Sequence, residues 1–449
     1  MKKTETHQMM KTIRRIFGLT LILLASLSLI VQPAAAQSDR PLAVVLTAEG
    51  PIMPPMLEYI KRGIQAAERR NAEVVIIELN TPGGSLDTML EIINEMRASK
   101  VPVVVHVAPR NAIAASAGAM ITLAGHAAAM APETSIGASS PIDSSGENLT
   151  ATAEAKAREL TKAAIRDLVR PRGEQALALA EAMVDEAKAL TASEALEANL
   201  IDFVVDNVDD LLEALDGFTV QMNDGPRTLD TADAVAEPFR MSLIEQFLLF
   251  LTDPNIVFTL LSVGITAILI EISSPGGWVA GFIGVIAVLV SLYGIGLLPV
   301  NWFGILFLLT AFVLFILDIK APTHGALTAA GVASFIVGAL VLFNSPGVPE
   351  FQRVSVPLVV GTGVTIGLLF FAILMFALRA LRNPVSAGAE AYIGKTGIVV
   401  GWGEAGGQVQ LQSELWSAEK AETSDKIRKG DRVEVVEVRG LRLKVRKIK

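Results

Sequence analysis

Ser116 lies in Ala114-Ala115-Ser116-Ala117-Gly118-Ala119, between a β-branched run and an apolar helical stretch, and its small neighbours let a polypeptide backbone approach the hydroxyl. A hydroxyl so placed can attack an acyl carbon once a base takes its proton. Upstream, Asn80-Thr81-Pro82-Gly83-Gly84-Ser85 falls where a buried strand ends and a helix begins. Paired glycines at such a junction leave backbone N–H groups uncovered near a helix N-terminus, which is what a developing oxyanion needs. Gly83, Gly84 and the amide of Ala117 are the candidate donors. Both motifs point to acyl transfer, although either alone is equally compatible with plain close packing of turns and helices. The chain has no cysteine, which removes disulfides, thiolate metal sites and a cysteine nucleophile. Its four histidines, His7, His106, His126 and His324, are scattered without ligand spacing, so no metal site is expected.

The elements that must position these residues are read from periodicity. Leu42–Leu46, Val74–Leu79 and Val103–Val107 are short β-branched runs, each followed by a helical stretch, notably Met56–Arg69 and Ser85–Ala98. Alternation of this kind predicts an α/β domain with a parallel sheet covered by helices, extending to about residue 236. Thr191-Ala192-Ser193-Glu194 has capping-box form and predicts a helix ending near Asn199, with Phe203–Val205 returning to the sheet edge.

Of the 449 residues, 51% are hydrophobic and only 19% charged, too apolar for an ordinary soluble protein. The excess is concentrated: five charged residues occur between Pro254 and Leu378. Five apolar segments, at 255–272, 278–297, 302–318, 325–343 and 356–378, are each near the length that spans about 30 Å of hydrocarbon. The second and third should form a tight hairpin. Residues 237–253, mixing Phe, Leu and Ile with Arg240 and Glu245, suit an interfacial helix leading into a transmembrane domain at 254–380. At the other end, Lys2, Lys3, Lys11, Arg14 and Arg15 precede the apolar run Ile16–Val31 and an Ala34-Ala35-Ala36 site, the pattern of a signal peptide spanning residues 1–36. A secreted first domain followed by five crossings predicts a multi-pass cell-membrane protein. The α/β domain lies outside the cytoplasm and the C-terminus inside, in agreement with Arg379 and Arg382 just past the last segment. From 387 to 449 the chain is rich in Val and Gly; runs at Gly397–Val400, Val409–Gln412, Arg432–Val438 and Leu441–Arg446, with turns at Gly406-Gly407, Lys429-Gly430-Asp431 and Arg439-Gly440, predict a small closed β-barrel.

The chain resembles the long-form NfeD family: membrane proteins with a ClpP-like serine protease domain, a multi-span region and a C-terminal OB-fold domain. The Pro82-Gly83-Gly84 turn, the surroundings of Ser116, the segment Ser135-Ile136-Gly137-Ala138 and the tail pattern around Gly407, Glu414-Leu415-Trp416 and Gly430 carry the likeness, which covers nearly the whole mature chain. The resemblance implies the α/β ClpP/crotonase-like fold for residues 37–236, a helical membrane domain, and an OB-fold barrel at the C-terminus. Ala117 departs from the pattern, where glycine is frequent, but its amide is retained. In soluble ClpP the base is a histidine, and the corresponding segment here, Gly137–Pro141, has none. His126 lies at the end of the Ser116 helix, facing away. In this family the base is a lysine near the start of the next helix, some forty residues past the serine, and Lys156 matches it. A lysine can serve if burial keeps it neutral. Lys162, the competitor, lies six residues on and so on another face, one that looks solvated, with Arg166 a turn later.

The implied function is a membrane-anchored serine endopeptidase using a Ser116–Lys156 dyad on apolar polypeptide segments, without metal, nucleotide or other cofactor. The resemblance also implies a link to stomatin-like SPFH membrane proteins and assembly into a homo-oligomer; membrane lipid is a further partner. A non-catalytic oligomeric scaffold is the alternative, and a crotonase-type acyl-CoA enzyme fails because a secreted domain has no CoA supply. Signal removal would shift the net charge from −8 to −12, and the barrel has only Tyr392, Trp402 and Trp416 as aromatics, so no nucleic-acid partner is expected.

Overall fold

The computed structural model describes residues 40–139, 151–273, 277–321, 323, 325–346, 348–382, 392–404, 406–421 and 426–448. The expected signal segment and most of the loop before the Lys156 helix lie outside them. Two compact units emerge, one of residues up to 316 with 331–363, the other of 317–330 with 364–449.

The chain enters the first unit through β1 (Leu42–Glu49), α1 (Pro54–Arg69), β2 (Val74–Asn80), α2 (Leu86–Ala98) and β3 (Val103–Val107). It continues through β4 (Ile113–Ala115), α3 (Ala117–Ala124), β5 (Ala127–Met130), β6 (Ser135–Gly137), α4 (Ala151–Val169) and α5 (Glu174–Asp185). Then follow β7 (Ala189–Thr191), α6 (Ala192–Glu197), β8 (Phe203–Val204), α7 (Val208–Leu215), the hairpin β9 (Thr219–Met222) and β10 (Gly225–Thr228), and β11 (Val235–Phe239). Six strands form one sheet in the order β11-β1-β2-β3-β5-β8, every neighbouring pair parallel, as expected of the ClpP-like fold. β3 is buried along its whole length, which is why its sequence is a β-branched run without alternation. Val75, Ile77, Val103 and Val105 pack toward α1, α2 and α3, while Val74, Ile76 and Val104 face α7 and the hairpin. Each fully buried aliphatic contributes about 1.5–3 kcal/mol. The capping box at Thr191 forms as predicted, its hydroxyl accepting from the Glu194 amide while the Glu194 carboxylate accepts from the Thr191 amide.

Two features extend the sequence reading. A second small sheet, β4-β6-β7, stands beside the main one and carries the Ser116 segment. In addition, Val235–Phe239 pairs with β1, so the α/β domain runs past residue 236 and the first residues of the expected linker belong to the sheet. The helical part of that linker is α8 (Leu243–Phe250), begun by a Ser242/Glu245 capping box. Arg62 of α1 holds it, donating to both Glu245 carboxylate oxygens at 2.8 and 2.6 Å, and also covers the Phe239 ring at 4.4 Å. Leu243, Ile244, Phe247 and Phe250 of α8 remain exposed.

All five apolar segments are helical: α9 (Pro254–Ser273), α10 (Val279–Ile295), α11 (Phe303–Lys320), α12 (Ala326–Phe343) and α13 (Val356–Arg382). Three stretches, Pro254–Ile272, Ala326–Phe343 and Glu350–Ile373, are long and apolar enough to cross a bilayer; Val279–Ile295 and Phe303–Asp318 are shorter. At about 1.5 Å per residue the shorter pair reaches only about 25 Å. The expected five crossings therefore reduce to three full-length candidates. Close helix contacts use small residues: a Cβ at Gly264 would stand 2.9 Å from the Gly284 carbonyl oxygen, and one at Gly304 would stand 2.6 Å from that of Gly338. These contacts join α9 to α10 and α11 to α12. The expected tight hairpin between the second and third segments is instead a connector, 296–302, whose Asn301 amide donates to the Leu342 carbonyl at 3.0 Å.

In the second unit the buried Asp318 carboxylate accepts from the Thr328 amide at 3.1 Å and from the Thr323 and Thr328 hydroxyls, capping the start of α12. The tail forms β12 (Thr396–Gly403), β13 (Gly406–Leu411), β14 (Glu414–Lys420), β15 (Arg432–Arg439) and β16 (Arg442–Lys447), a closed barrel ordered β12-β13-β14-β16-β15 and filled by Val399, Val409, Val433, Leu443 and Val445. β14 is the strand the tail pattern left unassigned.

Candidate active site

Three sequence segments meet at Ser116. The first two interlock through their glycines: a Cβ at Gly118 would lie 2.4 Å from Thr81 Cγ2, and one at Gly83 would lie 2.8 Å from Ser116 Cβ and 3.4 Å from its Oγ. Backbone bonds fix the match, with Thr81 N donating to Ile113 O at 2.7 Å and Ala115 N to Thr81 O at 3.0 Å. The third segment contributes Gly137, whose carbonyl accepts from Ser116 N at 2.8 Å. Ser116 itself adopts φ 53° and ψ −114°, a conformation that a side chain-bearing residue holds only under constraint and at a cost of about 1–3 kcal/mol. It precedes α3 as the N-cap, makes no cap bond with its side chain, and is partly exposed. The result is a hydroxyl held on a sharp strand-to-helix turn and left available.

The possible oxyanion donors differ in availability. Gly83 N donates to Thr81 Oγ1 at 3.1 Å. No hydrogen bond among the described residues engages the Gly84 amide. Ala117 begins α3, where no carbonyl one turn earlier can accept from its amide. The Gly84 and Ala117 amides are thus the free pair, a selection that needed the Thr81 side chain and was not readable from the glycines alone.

The basic residues divide as follows. Lys162 is mostly enclosed and forms ion pairs with Asp185 at 2.7 Å and Glu159 at 3.5 Å, so its face is paired and not simply solvated. The hydrogen bond it donates to the Asp185 carboxylate raises its pKa and keeps it charged, unfit to accept a proton. Lys156 is exposed on α4, and among the described residues no hydrogen bond joins it to Ser116. The described residues therefore do not bury Lys156.

The two described histidines are structural. His126 Nδ1 accepts from the Val103 amide at 3.0 Å, and burial, with nearby Arg97 adding to it, pushes its pKa down to about 4. His106 is fully buried with Nε2 3.1 Å from the Val205 carbonyl. For His126 the folded state disfavours the proton that the unfolded state binds near 6.5. Its contribution to stability is complete above that pH and is lost as pH falls from about 6.5 to about 4. Thermal unfolding followed across this window should show a shallower acid decline for His126→Gln than for the wild type.

The chain is 32% identical over 429 residues, 94% of its own length and 97% of the relative's, to Membrane-bound protease PH1510 of Pyrococcus horikoshii. It is 27% identical over 76% of its length, and 75% of the relative's, to Membrane protein NfeD1b of Bacillus subtilis. A solved structure described as the 1510-N membrane protease specific for a stomatin homolog from Pyrococcus horikoshii is 30% identical, with a TM-score of 0.42; the match covers 48% of this chain and 100% of that one. A second, of a lysine-to-alanine mutant of the 1510-N membrane-bound stomatin-specific protease in complex with a substrate peptide, is 32% identical, with a TM-score of 0.44 and coverage of 48% and 100%.

An α/β domain holding a serine on a strained turn against a Pro-Gly-Gly loop, followed by apolar helices and a closed barrel, in a chain related along nearly its whole length to a membrane-bound protease, defines a class: the membrane-bound proteases with a ClpP-like domain. Family models match residues 45–223 as the NfeD1b N-terminal domain, 255–376 as the NfeD integral membrane domain and 389–447 as the NfeD-like C-terminal, partner-binding domain. The chain belongs to the NfeD family.

Proposed function

We propose that this protein is a serine endopeptidase in which Ser116 is the nucleophile and Lys156 the general base. The observation that carries the reading is the strained Ser116 turn lying against Gly83, with the Gly84 and Ala117 amides making no hydrogen bond among the described residues. Ser116 Oγ attacks the scissile carbonyl and its proton passes to Lys156 Nζ. The carbonyl oxygen becomes an oxyanion, which accepts from the Gly84 and Ala117 amides. Collapse expels the amine, which takes the proton from Lys156, and water hydrolyses the acyl-enzyme with Lys156 acting as base again. Lys156 is exposed on α4, and in the active form a bound polypeptide or a second copy of the chain covers it.

Substrates are apolar polypeptide segments, and a stomatin-like SPFH protein is the proposed partner; the description of the Pyrococcus horikoshii protease as specific for a stomatin homolog supports this. The apolar face of α8 rests in the lipid interface. With the α/β domain outside the cytoplasm, an odd number of crossings, three or five, leaves the barrel inside.

A fluorophosphonate probe applied to the full chain in lipid nanodiscs tests the nucleophile. Mass spectrometry is expected to find the adduct on Ser116. Labelling of another serine would move the nucleophile to that residue, and no labelling would replace this reading by the non-catalytic scaffold.

A further inference from the structure

The geometry points to Gln352, in the loop between α12 and α13, as a positioning residue for the oxyanion amide of Gly84. It acts through Met53 and Ile52, so that the membrane helices set the geometry of the active site. The inference rests on the reading of Ser116 and Gly84 given above.

The argument begins at the Gly84 turn. Ile52 N donates to Gly83 O at 2.8 Å and Ser85 N donates to Ile52 O at 2.9 Å, so the backbone of Ile52 clamps the turn from both sides. The clamp has no slack, because a Cβ at Gly84 would fall 2.1 Å from the Ile52 carbonyl oxygen. The Ile52 side chain is fully buried, and its neighbour Met53 is only 5% exposed. Met53 is the N-cap of α1 and has no side-chain cap bond to hold it. Gln352, itself buried, contacts Met53, with Nε2 3.7 Å from Met53 Sδ.

Gln352 belongs to a pinned loop. Val354 N donates to Asn344 Oδ1 at 2.9 Å and Asn344 Nδ2 donates to Val354 O at 2.9 Å, so one side chain ties the end of α12 to the start of α13. Ser355 N donates to Asn255 Oδ1 at 2.8 Å, which adds the start of α9. A displacement of these helix ends carries Gln352 with it, and Met53 and Ile52 transmit the shift to the turn. An N–H···S contact is weak by itself. Its effect comes from where it acts, since an oxyanion donor is useful only within a few tenths of an ångström of its position.

The experiment uses the full chain in nanodiscs, with casein hydrolysis as readout for wild type, Gln352→Ala, Met53→Ala, the double variant, Gln352→Met, Phe351→Ala and Ser116→Ala. Gln352→Ala is expected to lower kcat about fivefold with KM unchanged, the sign of an interaction expressed in the transition state. Met53→Ala should act similarly, and the double variant should be no worse than the poorer single, because both act on one path. Gln352→Met, which refills the contact, should restore most of kcat. Phe351→Ala, at an exposed neighbour, should match the wild type. If Gln352→Ala fails to fold, Met53→Ala and Gln352→Met still decide the matter. An unchanged kcat in Gln352→Ala, or additive losses, with Ser116→Ala inactive, overturns the inference alone. Full activity in Ser116→Ala overturns the reading beneath it as well.

Discussion

Ser116→Ala is expected to lower casein hydrolysis by the full chain about 10⁴-fold or more, leaving only what binding and the oxyanion amides provide. The substitution deletes one oxygen that makes no hydrogen bond among the described residues. Alanine meets the same backbone constraint at φ 53° as serine, so the fold should be unaffected and the loss should appear in kcat. Lys156→Ala should be comparably inactive, whereas Lys162→Ala should cleave normally, because Lys162 is a charged partner of Asp185, already protonated and unable to accept a proton. A Lys162→Ala variant as inactive as Lys156→Ala would move the base elsewhere.

Gly84→Ala is expected to lower kcat by about 10²–10³-fold, the range seen when one oxyanion donor is lost. The added methyl would lie 2.1 Å from the Ile52 carbonyl oxygen and 2.6 Å from both Ile52 C and N. These are backbone atoms held by their own hydrogen bonds, so the turn must shift and take the Gly84 amide with it. Overpacking of this kind costs about 1–3 kcal/mol, which a melting curve should register as a modest decrease. Gly83→Ala is a separate case, since its methyl would press on Ser116 itself, at φ +114°. Comparing the labelling rate of Ser116 with the rate of peptide hydrolysis separates the two: an oxyanion defect slows both, and Gly84→Ala retaining full kcat would remove this amide from the mechanism.

What could be read in the sequence was what is encoded locally. Val103–Val107 coincides with β3 because a buried parallel strand favours a β-branched run on both faces, here interrupted only by the hydrogen-bonded His106, and the Thr191 capping box forms from residues three apart. The two glycine-containing motifs were legible as motifs, and their mutual packing through Thr81 and Gly118 explains why each needs its glycine. Three-residue strands such as Ile113–Ala115 and Ser135–Gly137 are too short for an alternating pattern to register. Val235–Phe239 contains Pro238, which argues against an interior strand; it is tolerated because β11 is the edge of the sheet. The exposure of Lys156 lies beyond any local signal, since it depends on what the folded surface leaves uncovered. The expected segment 278–297 overruns α10 for a simpler reason: apolar residues continue into the connector although the helix stops at Ile295, whereas 302–318 matches α11 closely.

The pairing of β11 with β1 also bears on mechanical load. The strand from which the chain departs toward the bilayer lies parallel to β1, in register from Leu42↔Val235 to Leu46↔Phe239. The component of a pull on the tether that lies along the strand axis loads these pairs in shear. Bonds loaded in shear share the force and must rupture together, whereas bonds peeled from one end fail one at a time. The domain is thus fastened to its anchor by a joint suited to tension.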